Sequence, residues 1–161
     1  RNFGMNVRIA RFHNIFGPMG TWNGGREKAP AAICRKVAEA DNGDSIEIWG
    51  TGTQTRSFLY IDECIEGMMR IMESEYKEPL NLGSTRMISM NDMVKLVARL
   101  ANKEVTIKNV PGPLGVMGRN SDNRLIKQTI GWQPKEDLET GIKETYAWIQ
   151  EQVELGKDDV E

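Results

Sequence analysis

Residues 7–30 read VRIARFHNIFGPMGTWNGGREKAP and carry the clearest fold signal in the chain. Val7–Phe16 is rich in apolar and β-branched residues and closes on Gly17-Pro18, which predicts a buried strand that runs into a loop. The loop then leads into Pro30, a residue suited to the first turn of a helix. Ligands of α/β proteins bind where strands end at their carboxyl edge. The loop therefore predicts a binding site, and its cations suit a negatively charged, hydroxyl-rich small molecule.

The rest of the chain alternates short apolar segments with amphipathic ones, which indicates an α/β fold. Asp62, Ser89 and Asp137 are predicted N-caps. The predicted helix 62–73 has one apolar side that is expected to face the protein core, made of Ile65, Met68, Met69 and Met72. Strands are predicted at 45–49, 55–61, 80–83 and 106–110, a loop at 111–121, and helices at 29–40, 62–73, 89–100, 123–130 and 137–153.

Composition and charge narrow the classes of function. The chain has 161 residues, of which 39% are hydrophobic and 27% charged, without an apolar run long enough to span a bilayer. Residues 1–36 hold seven Arg/Lys against Glu27, but the net charge of −2 does not favour nucleic acid as a partner. Two cysteines suit a reducing cytoplasm, and one histidine without a cysteine pair disfavours a metal site. We expect a soluble cytoplasmic protein with no membrane partner.

Several motifs occur in an order that resembles one enzyme family. RFHNIFGP at 11–18, GxGxQxR at 50–56, NLG at 81–83 and GWxP at 131–134 resemble the extended short-chain dehydrogenases/reductases that act on nucleotide sugars. The resemblance covers nearly the whole chain but only the later portion of such an enzyme. It implies a C-terminal portion of that fold: a partial Rossmann-type sheet plus a small mixed substrate-binding domain, with residues 1–161 as one fragment. The stretches 20–30, 54–58 and 118–123 resemble the family's 3,5-epimerases.

The chain also departs from the family pattern. Such enzymes bind NAD through a glycine-rich turn after their first strand and use a tyrosine with a lysine four residues later. No such turn opens this sequence, and Tyr60, Tyr76 and Tyr146 lack that lysine. The family's catalytic cysteine lies in the earlier portion, so neither Cys34 nor Cys64 inherits the role. We expect the NAD-binding half to be absent, so that NAD serves the complete enzyme and this chain alone is inactive.

The resemblance implies a reaction and a set of site residues. The sugar is oxidised at C4 by NAD, protons leave and return at C5 and C3, and the same cofactor reduces the sugar again. Lys28 is implied as an acid/base group, and its place at a helix N-terminus beside Arg26 disfavours its ammonium form. Asn14 can hold a hydroxyl or carbonyl. The other implied substrate contacts are Glu27, Ala29, Lys36, Gln54, Thr55, Arg56 and Arg119, of which Lys36, Arg56 and Arg119 suit a diphosphate clamp.

Alternatives remain open for several features. Trp22 fits either a cover over the sugar or a core plug, and His13 is interpreted as a packed residue. The chain is alternatively a non-catalytic binding or oligomerisation module derived from this family, or part of an epimerase or dehydratase for another nucleotide sugar. Val7–Phe16 and Leu80–Gly83 would leave exposed strand edges without the missing half, which predicts a homo-oligomer or a rearranged packing of these strands.

Overall fold

A computed structural model describes residues 3–113, 115–135 and 137–156 and confirms the α/β class. The helices are α1 (Ala29–Glu39), α2 (Ile61–Glu73), α3 (Met90–Leu100), α4 (Arg124–Ile130) and α5 (Leu138–Glu154). The strands are β1 (Ala10–Phe12), β2 (Ile15–Phe16), β3 (Ser45–Trp49), β4 (Thr55–Ser57), β5 (Leu59–Tyr60), β6 (Leu80–Leu82), β7 (Met87–Ser89), β8 (Thr106–Val110) and β9 (Gly118–Arg119).

The strands form short sheets of mixed direction. Strand β1 runs parallel to β6, β2 runs parallel to β5, and β3 runs parallel to β8. Strand β4 lies between an antiparallel β7 and a parallel β9. The last sheet brings segments that are far apart in sequence to one place, because Arg56 lies opposite Arg119 in register.

Two groups of buried apolar side chains hold these elements together. The larger lies among α1, α3 and α5 with β3, and includes the fully buried Cys34, Val37, Val97 and Ile149. The smaller joins α2, β5, β6 and α4 around Leu82. Burial of these side chains stabilises the fold by about 25 cal/mol per Å² of apolar surface removed from water.

The predicted caps of α3 and α5 are confirmed. Ser89 Oγ accepts a hydrogen bond from the Asp92 N–H at 3.0 Å, and Asp137 Oδ1 accepts one from the Thr140 N–H at 3.1 Å. Each bond satisfies an N–H group that would otherwise lack a partner in the first helical turn. Helix α4 ends at Gly131, whose φ of +67° is a left-handed cap.

The prediction of one continuous buried strand over Val7–Phe16 is wrong. The structure has two short strands with a break at Asn14, whose φ is +48°, and Val7 is 53% exposed. Asparagine tolerates the left-handed region better than most residues. The Asn14 side chain donates to the Ser57 carbonyl at 2.9 Å, and its own carbonyl accepts from the Leu59 N–H at 3.1 Å. These two bonds stabilise the break.

The segment 55–62 also differs from its prediction. The strand predicted over 55–61 is two strands, β4 and β5, and residue 61 already belongs to α2. Tyr60, not Asp62, occupies the N-cap position, and Asp62 lies in the first helical turn. A carboxylate there still favours the helix through its dipole. The region 111–121, predicted as a loop, contains the short strand β9.

The core-facing stripe predicted for α2 is confirmed at Met68, which is partly buried against the smaller group, and is wrong at the other three positions. Ile65 and Met69 are each 46% exposed and Met72 is 61% exposed, whereas the buried positions of α2 are Cys64, Gly67 and Ile71. A Cβ placed on Gly67 would lie 2.5 Å from Leu82 Cδ1 and 3.0 Å from Trp132 Cε2. The helix turns its glycine towards the core because only a residue without a side chain permits this close approach.

Candidate functional site

The predicted site begins in the loop that joins β2 to α1. Gly24 and Gly25 both have φ of +84°, a region that residues with side chains rarely adopt. The chain then enters α1, where Lys28 occupies the N-cap position and Pro30 lies in the first turn. Lys28 is exposed, and its carbonyl accepts the first helical hydrogen bond from the Ala32 N–H at 3.0 Å. The structure therefore places Lys28 at a helix N-terminus, as the sequence predicts.

A small cavity of about 190 Å³ lies beside this N-terminus. Its lining includes Lys28, Arg26, Phe16, Gly17 and Gly20, and we call it the Lys28 cavity. The lining thus combines the end of β2 with two cationic residues. The cavity can therefore hold a small, hydroxyl-bearing group next to an amine.

A second cavity, of about 430 Å³, lies on the other side of the start of α1, and we call it the Gln54 cavity. Four of the predicted substrate contacts line it: Glu27, Ala29, Lys36 and Gln54. Glu27 and Ala29 lie on either side of Lys28 in the chain, so the two cavities are neighbours.

Gln54 and Lys36 are held by main-chain groups around β3. The buried Gln54 side chain donates to the Trp49 carbonyl at 3.0 Å, and the backbone carbonyl of Gln54 accepts from the Met90 N–H at 3.3 Å. Lys36 Nζ donates to the Glu47 carbonyl at 2.7 Å. Gln54 is thus held through both its side chain and its backbone, whereas the Lys36 contact is exposed.

Thr55, Arg56 and Arg119 lie together on the sheet that continues from Gln54. Arg56 is opposite Arg119, and Thr55 is opposite Gly118, on the paired strands β4 and β9. Arg56 Nη1 donates to the Thr55 carbonyl at 2.7 Å, and Arg119 is exposed. Two arginines therefore occupy paired positions on neighbouring strands, and arginine side chains suit an anionic ligand.

Asn14 lies in the break between β1 and β2. Its neighbour His13 has a pKa below its ordinary value, first because of burial and then because of the positive charge of Arg119. The charge of Arg119, on β9, thus affects a residue at the end of β1. His13 itself is half-buried, in agreement with its interpretation as a packed residue.

Not all of the predicted contacts line the same cavity. In the described part of the chain, the linings of the Lys28 and Gln54 cavities do not include Asn14, Thr55, Arg56 or Arg119. Trp22 is 4% exposed and belongs to the larger core, so the core-plug alternative is the correct one. A wider cavity of about 710 Å³ lies elsewhere, around the start of α4.

Glu27 is the most constrained ionisable group of the site. Burial by itself raises its pKa, but hydrogen bonds from local backbone N–H groups and from Arg35 outweigh that effect, so its pKa lies below the ordinary value. Arg35 Nη2 donates to Glu27 Oε1 at 3.2 Å, and the Gly25 N–H donates to Glu27 Oε2 at 2.7 Å. Arg35 was not among the predicted site residues. It lies eight residues after Glu27, but Glu27 belongs to the loop before α1, so no local pattern indicated the pair.

Two negative findings apply to the described residues, 3–113, 115–135 and 137–156. They contain no helix long and apolar enough to cross a membrane, and no group of three or more potential metal ligands. The described strand β1 is followed by Asn14 and β2, not by a glycine-rich turn that opens a helix. The residues present around β1 therefore do not fit the pyrophosphate cradle of NAD.

The site lies on a scaffold that is found in known enzymes. The model of the NAD dependent epimerase/dehydratase family matches residues 1–83, just over half of the chain. The chain belongs to this family. It is 54% identical over 157 residues to a GDP-mannose 3,5-epimerase of Arabidopsis thaliana and 52% identical to GDP-mannose 3,5-epimerase 1 of Oryza sativa subsp. indica. Each alignment covers 98% of this chain and 41% of the relative, so the chain spans about two fifths of those relatives.

Solved structures agree on the fold. A UDP-glucose 4-epimerase of Thermotoga maritima, with UDP-glucose, superimposes with a TM-score of 0.76 at 25% identity, covering 89% of this chain and 46% of that one. An epimerase of Methanothermobacter thermautotrophicus superimposes with a TM-score of 0.82 at 21% identity, over 95% of this chain and 46% of that one. The second likeness concerns the fold alone.

Proposed function

We propose that this chain is the nucleotide-sugar-binding portion of an NAD-dependent 3,5-epimerase that acts on GDP-mannose or a close analogue. The observation that carries the proposal is the position of Lys28, an exposed amine at a helix N-terminus that lines one cavity while its sequence neighbours line the next. The 54% identity to a GDP-mannose 3,5-epimerase over 98% of this chain supports it.

Lys28 is the acid/base group in this proposal. The N-terminal end of α1 carries a partial positive charge, and Arg26 adds a full one beside the same cavity. The Lys28 amine lines this cavity at the start of α1, where it can give a proton to a sugar carbon and take one back. Asn14, at the break between β1 and β2, holds a sugar hydroxyl or carbonyl through its side-chain amide.

The nucleotide lies along the Gln54 cavity and the sheet beside it. Lys36, Arg56 and Arg119 bind the diphosphate, and Gln54 and Thr55 add hydrogen bonds on the nucleotide side. The pairing of Arg56 with Arg119 across β4 and β9 supports this clamp, because guanidinium groups bind phosphate oxygens with several donors at once. Glu27 and Ala29 contact the ligand beside Lys28.

NAD supplies hydride transfer at sugar C4 in the complete enzyme, and residues outside this chain hold it. The chain alone, one substrate-binding unit, is therefore catalytically silent. We propose the cytoplasm as its location, because Cys34 and Cys64 are both buried free thiols.

A second candidate function is a non-catalytic module that assembles with itself. The exposed apolar side chains of Ile65, Met69 and Met72 on α2 favour it, together with the exposed Phe12 on β1. Apolar groups gathered on a surface mark protein interfaces more often than free surface. A module of this kind is a homo-oligomer. Light scattering at micromolar concentration distinguishes the homo-oligomer from a monomer.

A third candidate keeps the scaffold and changes the sugar. The chain is also 34% identical over 143 residues to UDP-glucuronic acid decarboxylase 6 of Arabidopsis thaliana, so a UDP-sugar is the competing ligand.

Calorimetric titration of this chain with GDP-mannose and with UDP-glucose tests the proposal. We expect GDP-mannose to bind at least about tenfold more tightly, and Arg119→Met to weaken it by about tenfold or more. Arg99→Met is the matched control, because Arg99 is an exposed arginine that pairs with Glu139 at 3.0 Å, away from both cavities. Equal binding of both sugars, or no binding of either, contradicts the proposal.

A further inference from the structure

Arg35 lies on α1 next to the proposed site but is not among the residues assigned to the ligand. Its side chain is 19% exposed, and its guanidinium forms two ion pairs: Nη2 with Glu27 at 3.2 Å and Nη1 with Glu39 at 3.0 Å. Glu39 is one helical turn further along α1, so Arg35 is held from its own helix and reaches back to the loop. The Arg35 side chain therefore connects α1 to the loop that precedes it.

The partner of Arg35 is a carboxylate that the loop buries. The Glu27 side chain is only 8% exposed, and its other oxygen accepts the Gly25 N–H at 2.7 Å. Each oxygen of Glu27 therefore has a different donor, one from α1 and one from the glycine turn. A buried carboxylate without a cationic partner is costly, so this arrangement depends on the guanidinium.

Other charged groups around Glu27 are arranged differently. Lys36 and Glu47 line the same cavity, but Lys36 Nζ bonds to the Glu47 carbonyl. Arg26 and Lys28 flank Glu27 in the chain, and within the described residues neither forms an ion pair with it. Arg35 is thus the cation that pairs with Glu27, and among the described residues Lys28 forms no ion pair with a carboxylate.

We infer that Arg35 is a positioning residue: it holds the Glu27 carboxylate, which in turn fixes the Gly24-Gly25 turn and keeps the carboxylate directed away from Lys28. The inference rests on the proposed function only for the roles of Glu27 and Lys28. The Nε atom of Arg35 is buried and has no hydrogen-bond partner among the described residues, so the guanidinium is held through its two Nη atoms.

Nuclear magnetic resonance of the 161-residue chain tests the inference. In the wild type, the Glu27 side-chain carbon should titrate below the ordinary glutamate value of about 4.3, and the Gly25 amide shift should follow the same titration. In Arg35→Met the Glu27 titration should move upward, and Gly25 amide exchange should accelerate on the order of tenfold. Arg35→Lys keeps the positive charge but cannot bond Glu27 and Glu39 with two separate nitrogens. Its Glu27 titration and Gly25 exchange rate should therefore lie between those of the wild type and of Arg35→Met.

Arg99→Met, which removes an exposed ion pair between α3 and α5, should leave both signals unchanged. A Glu27 titration and a Gly25 exchange rate that stay the same in Arg35→Met overturn the inference. If Arg35→Met does not fold, the wild type decides the question. A wild-type Gly25 amide shift that does not follow the Glu27 titration also overturns the inference. A chain that shows the coupled titration but binds no GDP-mannose refutes the proposed function and leaves the positioning role intact.

Discussion

Replacing Gly52 by alanine should destabilise the fold and disturb the Gln54 cavity. Gly52 has φ of +71°, and a Cβ built on it would lie 2.7 Å from Asn91 Nδ2 and closer still to the Asn91 Cγ and Oδ1 atoms. Asn91 cannot simply turn away, because its Nδ2 donates to the Thr51 carbonyl at 3.0 Å and its N–H donates to the Gly52 carbonyl at 3.0 Å. The turn that leads to Gln54 is therefore clamped to the start of α3.

The expected cost has two separable parts. Left-handed backbone costs an alanine about 1–2 kcal/mol. Crowding against Asn91 adds about 1–3 kcal/mol, and loss of its hydrogen bond to Thr51 about 1 kcal/mol. Gly43→Ala is the matched control, because Gly43 has φ of +95° but its Cβ would meet nothing within 4 Å. The free energy of unfolding should therefore fall by at least about 2 kcal/mol more in Gly52→Ala than in Gly43→Ala.

Urea unfolding followed by circular dichroism measures both variants, and titration with GDP-mannose reports on the cavity. In thermal unfolding of the same two variants, the extra 2 kcal/mol should appear as a difference in melting temperature of about 4–8 °C. Asn91→Ala combined with Gly52→Ala should recover the crowding part, since the obstructing side chain is gone. If Gly52→Ala costs no more than Gly43→Ala, the clamp between the turn and α3 does not hold the cavity.

Three further predictions concern a helix cap, the proposed acid/base group and a buried thiol. Asp137→Ala should cost about 1 kcal/mol at neutral pH. The hydrogen bond from Thr140 lowers the pKa of Asp137, so its stabilisation is complete above the unfolded pKa of about 3.9 and is lost as pH falls through the lower folded pKa, which urea unfolding at stepped pH would show. Lys28→Ala should change the free energy of unfolding by less than about 0.5 kcal/mol, because Lys28 is exposed and its side chain makes no cap bond. In a version that carries the NAD-binding half, the same substitution should lower turnover about 100-fold or more. Unchanged turnover contradicts the acid/base role of Lys28. Burial raises the pKa of Cys34 to about 12, so iodoacetamide at pH 8 should leave it unmodified in the folded chain and modify it in urea, as mass spectrometry would detect.

Features that depend on neighbouring residues were predictable from the sequence. Helices α1, α3 and α5 follow from apolar spacing and from caps such as Ser89 and Asp137, because a cap bond joins residues three apart. The position of Lys28 at a helix N-terminus follows for the same reason. Features that depend on contacts distant in sequence were not predictable to the same degree.

Helix α2 shows this difference most directly. Its apolar spacing is real, yet Ile65, Met69 and Met72 face outward, because the close approach of Gly67 to Leu82 and Trp132 decides which side of the helix is buried. The break at Asn14 likewise depends on the distant carbonyl of Ser57.

The candidate site also combines features that follow from local sequence with features that depend on tertiary contacts. The sequence by itself determined the α/β class, the loop before α1 and the residue types suited to an anionic sugar ligand, since these follow from local pattern and side-chain chemistry. Only the tertiary structure decided that Arg56 lies opposite Arg119 and that Arg35 holds Glu27. Strand register and ion-pair partners are chosen by the packing of whole elements, and no local spacing encodes that packing.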